Sequence, residues 1–131
     1  MGHVKIDTTK DERRLTQTYA LNTVAGVKSL LRDRHRIAAR RFKGDTAASD
    51  ILIDLHSAIE SAGLTDRQAE AIALVYGLDV TQETAARVMG ITQPSVNITV
   101  ESAVEKIAAV FKRWDYGEVT VTTEEEATGD R

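Results

Sequence analysis

Apolar residues recur at helical spacing along most of the chain and predict an all-α protein of about five helices. The first pattern runs from about Asp11 to Phe42, and Gly44 is expected to end it. Its single apolar stripe has spacings of three, four and seven residues and consists of Ala20, Val24, Val27, Leu31, Ala38 and Phe42. Leu15 and Tyr19 extend the stripe at its start. The pattern therefore predicts one long N-terminal helix within residues 11–44.

Capping residues divide the following segment into shorter helices. A second helix is predicted up to Gly63, and a third begins at Thr65 and Gln68, which have the spacing of a capping box. The third helix is expected to stop at Gly77. Thr81 is expected to cap a fourth helix that ends at Gly90. Thr92 is expected to cap a fifth, with Pro94 in its first turn and an inward face of Val96, Val100, Ala103, Ile107, Val110 and Trp114.

The two ends of the chain lack this periodicity. Residues 1–10 are predicted to be a flexible arm. Residues 117–131 are predicted to be an extended acidic tail, with a short strand at 117–123 and a disordered end. Between them lie the long helix of residues 11–44 and a helical domain of residues 45–116.

Composition excludes several kinds of chemistry. The chain has no cysteine, so disulfides, thiolate metal sites and cysteine nucleophiles are absent. No histidine pair has metal-ligand spacing, and we find neither a phosphate-binding glycine loop nor a nucleophile elbow. We therefore expect no catalytic residues, no cofactor and no metal. No apolar run reaches the roughly 20 residues that span a bilayer, and we expect a cytoplasmic protein without a membrane partner.

Charge is distributed unevenly along the chain. The net charge is −3, but residues 1–44 carry eleven basic and four acidic residues, a net +7, so the remainder carries −10. Within the basic part, four residues at spacings of four, four and three form one stripe on a helix, namely Arg32, Arg36, Arg40 and Lys43. This basic stripe could follow DNA phosphates, could be a solvated helix face, or could pair with the acidic half of another copy.

The segment from Thr81 to Val96 has the spacing of a helix-turn-helix. Ala86 is small enough for two helices to cross closely, and Gly90, four residues later, permits a left-handed turn. Ile91 is expected to close the core below the turn, and Val96 to anchor the second helix. Small, glycine and β-branched residues in this order are what the geometry of the motif requires.

Residues 64–112 resemble the C-terminal DNA-binding region, region four, of bacterial sigma factors and of small sigma-like regulators of bacteriophages. The matching segments are Leu64 to Gln68, Tyr76-Gly77-Leu78, Thr81-Gln82-Glu83, Ala86, Gly90 to Val96, and Ala103 to Ile107. The resemblance implies that Gln82 and Glu83 begin the first helix of the motif near the DNA backbone. It also implies that Gln93, Ser95, Asn97 and neighbours such as Thr99 lie in the major groove.

The second helix of the motif, which we call the recognition helix, departs from the sigma pattern. No Lys or Arg occurs between Arg87 and Lys106, and Glu101 is expected to repel the DNA backbone. Because phosphate contacts supply much of DNA affinity, either the basic stripe provides the charge or the motif contacts protein.

Three functions follow as hypotheses. The leading one is a sequence-specific transcription regulator that binds double-stranded DNA as a homo-oligomer, with a dimer favoured because the long apolar stripe is more than one small core needs. The second is the DNA-recognition subunit of a phage packaging terminase. The third is an adaptor that binds RNA polymerase or another regulator instead of DNA.

Overall fold

The computed structural model describes residues 3–7, 13–41 and 46–125, and this part of the chain is mostly helical. The helices are α1 (Val24–Arg41), α2 (Thr46–Ser61), α3 (Asp66–Ile72), α4 (Gln82–Met89) and α5 (Gln93–Arg113), with a π-helical turn (Ala73–Gly77) directly after α3. The strands are β1 (His3–Asp7), β2 (Arg13–Ala20) and β3 (Glu118–Glu125). The prediction of a mostly helical fold with five helices is confirmed, and the extended C-terminal segment is β3.

The long N-terminal helix was predicted wrongly over its first third. Arg13–Ala20 is not helical but forms β2, the central strand of an antiparallel sheet in the order β1-β2-β3. Tyr19 pairs with Val119 of β3, and Thr18 with Thr120. Aromatic and β-branched residues such as these favour strands. The sheet also gives regular structure to residues 3–7, where we expected an arm without any.

The start of α1 is fixed by two small residues. Thr23 precedes the helix, and its Oγ1 accepts a hydrogen bond of 3.0 Å from the N–H of Gly26 while donating one of 2.7 Å to the carbonyl oxygen of Ala20. A Cβ on Gly26 would lie 1.9 Å from that same oxygen. Only glycine therefore allows the first turn of α1 to pack against the end of β2.

The core is built around α5, which packs against each of the other four helices. Its buried face includes the predicted Val96, Val100, Ala103, Ile107 and Val110, whereas the predicted Trp114 is exposed and meets Phe111 edge to face. The apolar face of α1 packs into the same core through Val27, Leu30, Leu31 and Ile37, which are all buried. These four side chains pack within one chain, and the dimer stays a prediction.

Two tyrosine hydroxyls join the sheet region to the helices. Tyr19 at the end of β2 donates a 2.7 Å hydrogen bond to Asp33 of α1, and Tyr116 before β3 donates one to Asp54 of α2. Burial, then the hydrogen bond to Asp54, raises the pKa of Tyr116 to about 12. These contacts hold the end of the sheet where β2 stops and β3 begins against α1 and α2.

Candidate nucleic-acid interface

The turn between α4 and α5 has the conformation that the sequence predicts. Gly90 adopts a left-handed conformation with φ of +71°, and its N–H and the N–H of Ile91 both donate to the carbonyl oxygen of Ala86. Ala86 and Met89 are buried at this point. The two helices therefore meet at a close, fixed turn, as a helix-turn-helix requires.

Side-chain caps fix the first turns of both helices of the motif. The Thr81 hydroxyl accepts a hydrogen bond from the N–H of Thr84 at the start of α4. The Thr92 hydroxyl accepts one of 3.2 Å from the N–H of Ser95 at the start of α5. Val96 is fully buried one turn into α5, so the opposite face of this helix is held outward with little freedom to rotate.

The predicted base-reading residues take up different positions on that face. Gln93, Ser95 and Asn97 are exposed, and the Ser95 hydroxyl accepts a hydrogen bond of 2.9 Å from Thr92. Thr99 is half-buried, and its hydroxyl donates to the carbonyl oxygen of Ser95. Gln82 is half-buried at the first position of α4. Three of the four residues predicted on the recognition helix are thus exposed, and the Ser95 hydroxyl among them is held by Thr92.

Ile98 lies on the same exposed face and was not predicted as a site residue. It is 65% exposed at the second turn of α5, between the buried Val96 and Val100. The sequence alone indicates that Ile98 is exposed, because it does not share the inward face of the helix with Val96 and Val100.

Glu101 is not a free charge on the outer face of α5, where the sequence predicts a carboxylate that would repel a DNA backbone. Its Oε2 lies 2.6 Å from Nζ of Lys28 in α1. Its Oε1 is buried and has no hydrogen-bond partner among the residues that the structure describes. The carboxylate is therefore turned towards α1 and neutralised there, and the outer face of the recognition helix keeps uncharged polar residues.

The same ion pair connects the basic stripe of α1 to the recognition helix. Lys28 precedes Arg32 by four residues and Arg36 by eight, so it continues their stripe along α1. Arg32 and Arg36 are both exposed, and Nη2 of Arg36 lies 3.4 Å from Asp33. Arg40 lies in the last turn of α1, and Lys43 lies outside the described residues.

Tyr76 of the π-helical turn lies within the same group of charges. Burial raises the pKa of its hydroxyl, the positive charges of Lys28 and Arg32 oppose that effect, and Glu101 adds to it. The carbonyl oxygen of Tyr76 accepts a 3.4 Å hydrogen bond from Arg34. The basic edge of α1 therefore approaches both the π-helical turn and α5.

A further cation stands beside the turn of the motif and was missed from the sequence. Nη1 of Arg67, in the first turn of α3, donates a 3.0 Å hydrogen bond to the carbonyl oxygen of Met89 at the end of α4. Its exposed guanidinium thus lies next to the turn that leads into the recognition helix. Arg87 adds an exposed positive charge on α4.

Two other kinds of site receive no support from the described residues. Across residues 3–7, 13–41 and 46–125, no three His, Asp or Glu side chains are grouped as a metal ion would need. In the same part of the chain, each helix is too short or too polar to cross a bilayer.

Comparison with known proteins gives one match. The model of the family described as protein of unknown function DUF134 matches residues 30–122, which is more than half of the chain. Neither the curated proteins nor the solved structures contain a match. The matched range begins at Leu30 in α1, two residues after Lys28, and includes α4 and α5.

Proposed function

The chain belongs to the family described as protein of unknown function DUF134, and we propose that it is a sequence-specific, double-stranded-DNA-binding regulator of transcription in the cytoplasm. The observation that carries the proposal is the outer face of α5. There Gln93, Ser95 and Asn97 are exposed on a helix whose position is fixed by the Gly90 turn and the Thr92 cap. Side chains of this kind hydrogen-bond to base edges in the major groove.

The arrangement of charge supports the same proposal. Phosphate contacts supply much of the affinity for DNA and need cations near the reading helix. Lys28 is paired with Glu101, but Arg32 is exposed one turn further along α1, Arg67 borders the turn, and Arg87 is exposed on α4. These cations surround a helix that carries no basic residue on its own first two turns, so the phosphate-binding and base-reading roles are divided between different elements.

Selection from a pool of random duplexes tests this function. The full chain is expected to enrich a short common sequence, and fluorescence anisotropy is expected to give a higher affinity for that duplex than for a scrambled one. A pool that shows no enrichment, together with equal affinities for both duplexes, would exclude sequence-specific binding.

Assembly is measured in the same samples by size-exclusion chromatography with light scattering. A dimer fits a regulator that reads two half-sites. A ring of eight or more copies would instead favour the DNA-recognition subunit of a packaging terminase.

Two exposed apolar side chains favour the adaptor as a second candidate. Leu78 is 70% exposed just before α4, and Val88 is 60% exposed on α4. Exposed apolar groups of this kind suit a protein partner such as RNA polymerase. Retention of RNA polymerase by the wild-type chain, and its loss with Val88→Ser, would support this candidate.

A further inference from the structure

We infer that Ile98 reads the C5 methyl group of thymine, so that the target of this protein is a duplex with an A·T pair under the second turn of α5. This inference rests on the proposed function, because it names the base class that the same helix recognises. Thymine is the one DNA base that presents a methyl group in the major groove, and apolar side chains recognise it by contact.

The placement of Ile98 carries the inference. It follows Pro94 by four residues and Ser95 by three, so it shares the outward face of α5 with both of them. It remains 65% exposed while its neighbours Val96 and Val100 are buried. The helix therefore presents an apolar projection at the middle of its reading face.

The chemistry around Ile98 also suits a methyl group. The exposed residues before it are uncharged, and the carboxylate of Glu101 is held by Lys28. With that charge withdrawn, an apolar side chain can approach the floor of the groove.

Asn97 makes the same base pair the natural target. An asparagine amide can form two hydrogen bonds with the N6 and N7 atoms of adenine. Adenine pairs with thymine, whose methyl group lies in the same groove. Adjacent exposed residues, one polar and one apolar, can thus read the two halves of one A·T pair or of two neighbouring pairs.

Deoxyuridine gives a direct test, since it differs from thymidine only by the missing methyl group. Each thymine of the selected duplex is replaced singly by deoxyuridine, and affinity is measured for the full chain by anisotropy. At one or two positions the wild-type affinity is expected to fall about fourfold, which corresponds to about 0.8 kcal/mol for one buried methyl-sized group. Ile98→Ala is expected to bind the thymine duplex about fourfold more weakly and to lose sensitivity to deoxyuridine at those positions.

Ile53→Ala is the matched control, because Ile53 is 57% exposed on α2 outside the motif. It is expected to retain the wild-type sensitivity to deoxyuridine. Wild-type affinity that is indifferent to every replacement would overturn the inference, as would an Ile98→Ala variant that keeps its sensitivity. Both of those results leave the proposed DNA binding intact, whereas failure to select any duplex removes the proposed function itself.

Discussion

Nζ of Lys28 in α1 lies 2.6 Å from Oε2 of Glu101 in α5, and this ion pair links the basic helix to the helix that we propose reads DNA. Both side chains are partly buried. The pair has two consequences: it turns a carboxylate away from the outer face of α5, and it aligns the cationic stripe of α1 with the same helix. Our proposal that α1 supplies positive charge while α5 reads the bases depends on this ion pair.

A double-mutant cycle measures how much the interaction between Lys28 and Glu101 contributes to the free energy of unfolding. Lys28→Met leaves the partly buried carboxylate without its cation, and we expect the free energy of unfolding to fall by about 1–2 kcal/mol. Lys28→Met combined with Glu101→Gln should lose less than the two single variants together, with a coupling of about 1 kcal/mol, the upper end for exposed pairs. Urea unfolding supplies all four values.

The matched control for that cycle is the exposed pair Arg87 and Glu83, which are 3.9 Å apart and one turn apart on α4. Its coupling energy should be close to zero. Equal coupling energies for the two pairs would mean that Lys28 holds Glu101 no more strongly than an exposed partner does. Lys28 would then not fix the orientation of Glu101.

The close crossing of α4 and α5 predicts a specific sensitivity at Ala86. Ala86→Leu inserts a larger side chain at a buried position next to the turn, and we expect a loss of roughly 1–3 kcal/mol of unfolding free energy. Ala109→Leu, an exposed site on α5, should change stability very little. Similar unfolding midpoints for the two variants in urea would argue against a tight crossing at Ala86.

The helix-turn-helix could be predicted from the sequence because its signals are local. Thr81, Gly90 and Thr92 mark helix ends within a few residues of the elements they delimit. Half of the pairing of β2 could not be predicted in this way, since Val119 of β3 lies 100 residues after its partner Tyr19, and only the pairing with β1 is local. Leu15, Tyr19 and Ala20 happen to continue a helical spacing, which hides Thr23 as the residue that marks the true start of α1.

In the candidate site, too, local features could be predicted from the sequence and long-range contacts could not. Gln93, Ser95 and Asn97 could be predicted because they lie on one helix, whereas the contact of Arg67 with Met89 requires the folded chain. Ile98 was missed for a different reason. Its side chain has no hydrogen-bonding group, and an apolar residue reads a base only by contact with the thymine methyl group.

Alkaline pH should weaken the attachment of Tyr116 to α2. Burial and the hydrogen bond to Asp54 raise its pKa to about 12 from the ordinary value of 10.0. The folded state therefore favours the protonated hydroxyl, and its contribution is complete below about pH 10 and is lost as pH rises through about 12. Wild type should be more stable than Tyr116→Phe below pH 10, and the difference should shrink towards pH 12.

Urea unfolding of both proteins at several pH values gives this difference. Tyr19 and Tyr76 are present in both proteins, so their own titrations cancel. A difference that stays constant between about pH 9 and pH 12 would show that the Tyr116 hydroxyl does not contribute as described.

The basic stripe of α1 should govern the salt dependence of DNA binding. Arg32→Gln with Arg36→Gln is expected to weaken binding to all duplexes alike. The slope of log affinity against log salt should fall by about 0.9 for each phosphate that the variant no longer neutralises. Lys112→Gln with Arg113→Gln is the control, because those residues lie in the last turn of α5, about 30 Å along the helix from Gln93.

The competing role for these arginines is self-association through the acidic half of another copy. Light scattering at a fixed protein concentration separates the two roles. A variant that keeps the wild-type mass and loses salt-sensitive binding supports phosphate contact. A variant that dissociates would assign the basic stripe to a subunit interface.

If the outer face of α5 reads base sequence, the ratio of specific to non-specific affinity depends on its exposed side chains. Asn97→Ala should weaken binding to the selected duplex by about 1–3 kcal/mol and leave binding to a scrambled duplex unchanged, because the phosphate contacts remain. Asn22→Ala, an exposed asparagine before α1, should keep the wild-type ratio. If Gln93, Ser95 and Asn97 are all changed to alanine and the ratio still equals that of wild type, this helix does not read DNA.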